Sequence, residues 1–198
     1  MSKQTLFTYV LILFTLMVVY QIWRDTPYFQ LTCLASADNG ESYCVRDRDI
    51  PDNAVQLLSN IDTKLKQLVE KISSKYPKEQ RVKRLKDGFI NTKIEEILPT
   101  SKLTAYSENK GEKMAFCLHK KKNGYNTEMI DENTLTFVAL HELSHVMTLS
   151  VGHEPEFWDN FKFLIDEASQ LQLYKPVDYS NSPKEYCGME INDSPYFE

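Results

Sequence analysis

The chain has no surplus of positive charge: 23 lysines and arginines stand against 28 aspartates and glutamates, a formal net charge of −5 over 198 residues. That balance argues against a general polyanion binder, so nucleic acid is not an expected partner. Charge of either sign is missing altogether from Thr5 to Trp23. The apolar run inside this stretch, Leu6 to Tyr20, suits a bilayer-crossing helix, with Tyr20 and Trp23 fitted to the interface and Lys3 and Arg24 bracketing it. Small residues are also missing just beyond it, and the nearest such run, Leu34-Ala35-Ser36-Ala37, lies well downstream. The segment therefore reads as a retained anchor and not as a cleaved signal peptide. The charge bias across it is too small to fix the orientation.

Cysteine is sparse, with four in all. Cys33 and Cys44 are near enough in sequence to close a small loop in an oxidising space, whereas Cys117 and Cys187 lie in different parts of the chain. Four reduced cysteines in a cytosolic domain are an equally natural reading, and Cys187 reads as a lone buried thiol before it reads as a metal ligand. Repeats and low-complexity tracts are absent, and the composition is that of one globular domain with appendages. The expected division is an anchor over 1–24, a polar, turn-rich stalk or lead-in loop over 25–50 and a folded domain over 51–198.

Histidine is scarce as well, yet three of the four fall between positions 141 and 153. Two of them belong to His141-Glu142-Leu143-Ser144-His145, an H-E-x-x-H motif. On a helix, residues four apart share a face, so two imidazoles can grip one metal ion while Glu142, one step round, addresses water activated by it. The flanks predict that helix: Leu135, Val138, Ala139, Leu143, Val146 and Met147 recur at helical spacing, and Asp131 or Asn133 can cap the start. Gly152 can end it with a reversal that swings His153 back toward the metal. Zinc suits three imidazoles with a fourth position left open. Glu142 would then serve as general base in peptide-bond hydrolysis. Glu167, on the following helix, is the alternative third ligand, and either it or Asp166 could orient an imidazole from behind. Tyr174, Tyr179, Tyr186 and His119 are the candidates for stabilising the oxyanion.

The rest of the chain predicts an α+β domain. An amphipathic helix opens at Pro51-Asp52-Asn53 and runs toward Pro77 with Val55, Leu58, Ile61, Leu65, Leu68, Val69 and Ile72 on one face. Lysines and arginines cluster between Lys75 and Lys86 and read as a solvated face, with nucleic acid or anionic lipid as the minority reading. Residues 84–98 fit a strand or a short helix equally well. Leu103 to Tyr106 and Lys113 to Leu118 predict a β-hairpin turning at Asn109–Gly111, whose edge an extended substrate can join. Lys120-Lys121-Lys122 followed by Asn123-Gly124 predicts a turn. Pro155 opens another helix, whose Phe157, Trp158, Phe161, Leu164, Ile165, Ala168 and Leu171 should pack beneath the metal site. An irregular tail follows from Lys175.

The run His141-Glu142-Leu143-Ser144-His145, then Gly152-His153, Phe157-Trp158 and Asp166-Glu167-Ala168 resembles WLM-type and SprT-like zinc metallopeptidases. Their pattern is H-E-L-x-H, a third histidine nearby and an aromatic residue four positions after it. The wider stretch from about Leu103 to Pro195, with Asn109-Lys110-Gly111-Glu112-Lys113 and Tyr186-Cys187-Gly188, is similar to membrane-tethered relatives of large DNA viruses. The resemblance implies a compact zincin-like fold with an active-site HExxH helix, one Zn2+ on His141, His145 and His153, and Glu142 as base. The gap before His153 is two residues longer than the family usually has. WLM and SprT relatives act on proteins bound or crosslinked to DNA; the acidic balance, the anchor and the missing basic tail argue against that substrate class here.

The resulting expectation is a membrane-anchored zinc metallopeptidase acting on a peptide or protein. Two other readings remain: a catalytically inactive, metal-stabilised module that binds peptides, and a viral structural membrane protein. Substrate, membrane orientation and oligomeric state are open at this level.

Overall fold

The computed structural model describes residues 3–25, 30–47, 51–122 and 128–197. The turn expected at Asn123-Gly124 lies outside them, as does Pro27 of the predicted stalk. Helix α1 (Lys3–Asp25) contains a 20-residue span, Gln4–Trp23, of mean hydropathy 2.0. It is long and apolar enough to cross a membrane, and none of it is buried against the rest of the chain.

The segment expected to be a lead-in loop is instead a β-hairpin of the main sheet. Strands β1 (Leu31–Ala35) and β2 (Ser42–Arg46) pair antiparallel with Cys33 opposite Cys44, and a disulfide joins the two. Asp38-Asn39-Gly40, correctly read as turn-forming, connects them, with Gly40 at φ 70°. The five-residue strands were hidden because only β2 buries an alternating pair, Tyr43 and Val45. The folded domain thus begins before residue 51.

Helix α2 (Pro51–Lys75) starts at the predicted proline and buries every residue of its predicted stripe. The ambiguous 84–98 segment divides between helix α3 (Gln80–Phe89) and strand β3 (Lys93–Glu96). The predicted hairpin is present as β4 (Ala105–Glu108) and β5 (Lys113–Phe116), paired antiparallel. Asn109, Lys110 and Gly111 turn it with φ of 48°, 57° and 112°. The sheet runs β1-β2-β3-β5-β4, with β3 parallel to both β2 and β5, so β4 is a free edge. Helices α4 (Glu132–Met147) and α5 (Pro155–Gln170) complete the core with α2 and α3. The predicted irregular tail holds a second hairpin, β6 (Lys184–Tyr186) and β7 (Met189–Ile191), turning at Cys187-Gly188 with positive φ at both residues. Two consecutive left-handed residues suit a two-residue hairpin loop. This is the α+β arrangement expected: an HExxH helix against a small sheet, with packing helices around it.

Lys78, Lys83 and Lys86 of the basic cluster are exposed, as expected of a solvated face, and the other three members are paired. Lys75 pairs with Glu167, Arg81 with Glu79, and Arg84 with Glu156, while Arg84 Nε also donates to the Met147 carbonyl. Gly88 and Gly111 let α3, the hairpin turn and α4 meet: a Cβ on Gly88 would stand 2.5 Å from both the Lys110 carbonyl oxygen and Val146 Cγ1. This contact sets the depth at which α4 sits against the sheet.

One buried ion pair ties the sheet together. Arg46 Nε lies 3.3 Å from Glu96 Oε1 and donates to the Ile97 carbonyl at 2.6 Å, while the Arg46 backbone N–H donates to Glu96 Oε2. Both side chains are almost wholly buried. Arg46→Ala removes one member of this buried pair, with its side-chain bonds to Glu96 and the Ile97 carbonyl, and is expected to cost about 3–5 kcal/mol, read from the urea midpoint. Replacing both partners with apolar residues should recover most of that loss.

Candidate metal centre

Helix α4 delivers the motif as predicted. Asp131 is its N-cap, accepting from the Thr134 N–H at 2.9 Å. The helix ends at Met147 with Thr148 as C-cap, five residues before Gly152, which was expected to end it. Gly152 instead takes a positive φ, 89°, within the loop that returns to α5. That return brings His153 over the motif. The ligand-capable atoms of His141, His145 and His153 all lie within 4.8 Å of one another, and the Nε2 atoms of His141 and His153 are 3.0 Å apart. Three imidazoles on one tetrahedral zinc place their nitrogens about 3.3 Å apart, so the donor set fits such an ion with small adjustments. Phe157, from the first turn of α5, packs on all three rings with centroid distances of 4.8, 4.4 and 4.5 Å.

Electrostatics favour the same use. Burial, with the neighbouring histidines adding to it, lowers the His141 pKa to about 3 and the His145 pKa to about 4. Both rings are therefore neutral at physiological pH, the form that binds metal. Glu142 is only 6% exposed, and burial raises its pKa to about 7. The Ser107 backbone N–H on β4 partly opposes this by favouring the carboxylate. A buried carboxyl that titrates near neutrality can both take and return a proton.

The cleft over these groups is a cavity of about 700 Å³ bounded by β4, α4 and the Ser150–His153 loop. Lys110, from the hairpin turn, pins that loop: its Nζ donates to the carbonyls of His145, Thr148 and Ser150 at 3.2, 2.7 and 3.1 Å. A cation there also compensates the negative end of the α4 dipole.

The uncharacterised protein R325 of Acanthamoeba polyphaga mimivirus is 31% identical to this chain over 158 residues, spanning 77% of this chain and 78% of the mimivirus protein. The chain belongs to this viral family. Shorter matches join it to proteins of two invertebrate iridescent viruses. Protein 136R of virus 6 is 42% identical over 74 residues, 36% of this chain and 38% of that one. Protein 042R of virus 3 is 39% identical over 61 residues, 30% and 36% of the two chains. No protein-family profile matches. Among solved structures, the chain is similar to Wss1 from Saccharomyces cerevisiae, with a TM-score of 0.48 and 18% identity over 65% of this chain and 88% of that one. Wss1 from S. pombe gives 0.42 and 21% over 63% and 87%.

In this chain the other predicted site residues are placed elsewhere. The Glu167 carboxylate accepts from Lys75 Nζ at 2.8 Å and from the Tyr76 hydroxyl at 2.7 Å, and neither it nor Asp166 lines the cleft. Glu167 as alternative third ligand is thereby corrected: its sequence spacing matched, but its charge is taken up between α2 and α5. Tyr174 and Tyr179 pack around Phe137 within the core. Tyr186 reaches the neighbourhood of Glu142, but its hydroxyl accepts from the Cys117 N–H and donates to the Thr104 carbonyl, both at 3.2 Å. It braces β4 and β5. Cys187 is no free thiol: it forms a disulfide with Cys117, beside His119, and among the described residues no cysteine is left unpaired. Sequence reasoning assigned no role to Lys110 or the Ser107 N–H; the turn signal at Asn109–Gly111 located Lys110 without revealing what it faces, and nothing marked Ser107.

Proposed function

We propose that the protein is a membrane-anchored zinc metallopeptidase, with His141, His145 and His153 as ligands and Glu142 as general base. The observation that carries this reading is the joint placement of three imidazoles and a buried carboxyl under a sheet edge that is unpaired among the described residues. When bound there, zinc supplies a Lewis acid that polarises a peptide carbonyl and lowers the pKa of water toward neutrality. Glu142 accepts the proton from the attacking water and delivers it to the leaving amine. The free edge of β4 binds an extended substrate by backbone hydrogen bonds and holds the scissile carbonyl over the cleft. Phe157 keeps water and competing ligands from the underside of the rings.

The apolar α1 supports a single membrane span. Two disulfides support an oxidising environment for the domain, which would leave the amino-terminal end of α1 on the reducing side. The test is cleavage of an unfolded protein by the detergent-solubilised chain, stopped by a chelator and restored by zinc. Activity that persists after complete metal removal overturns the reading. The reading also predicts that Lys110→Met lowers zinc affinity by about 10-fold or more, because the ammonium that ties the Ser150 carbonyl of the His153 loop to the end of α4 is lost. A chelator competition titration measures this.

A further inference from the structure

A second cavity, of about 240 Å³, adjoins the metal cleft and shares Thr104, Ala105, His141 and Glu142 with it. Its walls come from the start of β4, the first half of α4 and the β6–β7 hairpin. Phe137, Val138, Tyr186, Met189 and Ile191 make much of that lining apolar, and three carboxylate residues complete it: Glu142, which is buried, and Glu190 and Asp193, which are exposed. Among the described residues no lysine or arginine lines it. A largely apolar cavity with exposed carboxylates in its lining matches a long aliphatic stem that ends in a cation.

The direction of β4 says which substrate residue reaches this cavity. Antiparallel pairing is the more stable mode of strand addition, so a bound peptide runs opposite to β4. Thr104 and Ala105, at the start of β4, border the cavity, and Asn109 and Lys110, beyond its end, border only the metal cleft. The part of the peptide that follows the scissile bond therefore lies over the cavity.

We propose that this cavity is a specificity pocket for a lysine or arginine side chain immediately after the cleaved bond. The proposal rests on the peptidase reading and adds its substrate class, a peptide cut before a basic residue. Glu190 and Asp193 meet the cation, and the wall residues cover its stem.

The test uses the zinc-loaded full chain in detergent and peptides that differ only at the residue after the cleaved bond: lysine, arginine, leucine or glutamate. The lysine and arginine peptides are expected to exceed the leucine peptide by about 10-fold in kcat/KM, and the glutamate peptide to be poorest. The double variant Glu190→Gln, Asp193→Asn should bring the lysine-to-leucine ratio to within about threefold, as should high salt. A binding readout stands apart from turnover: fluorescence anisotropy of the same peptides on the Glu142→Gln chain, where lysine should again bind more tightly than leucine. Equal binding and cleavage of all four, or a preference for leucine, overturns the pocket assignment. Absence of any cleavage by zinc-loaded wild type overturns the peptidase reading instead, and the anisotropy then decides the pocket alone.

Discussion

Glu142→Gln is expected to abolish proteolysis, leave zinc bound, and make the metal-free protein more stable at neutral pH. Loss of the group that takes and returns the proton should lower turnover by about 10²–10⁴-fold. Zinc is retained because the three imidazoles are untouched. The stability gain follows from linkage. Burial raises the Glu142 pKa from 4.5 to about 7, so between these values the folded chain holds a proton that the unfolded chain has released. A raised folded-state pKa contributes stability that is fully present below the unfolded value and lost as pH rises through the folded one. Wild type thus carries a penalty at pH 7.5 that glutamine does not. The difference in thermal midpoint between the two metal-free proteins should be several degrees at pH 7.5, for about 1–3 kcal/mol, and should shrink toward zero near pH 4.5. A difference independent of pH would place its origin elsewhere than in the carboxyl charge.

Removing the Cys117–Cys187 disulfide as a serine pair should cost about 2–4 kcal/mol, since it closes a long loop between residues 70 apart. Its functional consequence should be larger than that of its partner. This disulfide fastens the β6–β7 hairpin to the end of β5, with help from the Cys187 and Gly188 N–H groups donating to the carbonyls of His119 and Lys120. That hairpin walls the pocket beside Glu142. The Cys33–Cys44 pair closes only an 11-residue separation, on the sheet edge opposite β4. Its replacement by serines should cost less stability and leave peptide selectivity intact. Peptide-panel kinetics and thermal melts on the two serine pairs separate these outcomes; equal effects on selectivity would show that the hairpin holds its place without its disulfide.

Features governed by neighbours in sequence were legible. The spacing of His141 and His145, the cap at Asp131, the turn at Asn109–Gly111 and the apolar stripe of α2 each depend on a few adjacent residues, and each is where it was expected. His153 was legible because Gly152 flagged a reversal, although the helix stops earlier and the loop carries the chain back. What depended on distant partners was not. Glu167 matched a ligand spacing, but Lys75 and Tyr76, more than 90 positions earlier, claim its carboxylate. Cys117 and Cys187 gave no local sign of their pairing. The β1–β2 hairpin was masked by its turn, since Asp38-Asn39-Gly40 lends a loop-like composition to strands that show little alternation of their own.

The central claim is a three-histidine zinc site, and elemental analysis of the purified full chain tests it most directly. Wild type, His153→Ala and Glu167→Ala are compared after zinc loading and removal of free metal. One zinc per chain in wild type and in Glu167→Ala, with most of it lost in His153→Ala, is the predicted result. Well-folded wild type that holds no zinc, or a loss confined to Glu167→Ala, would contradict it.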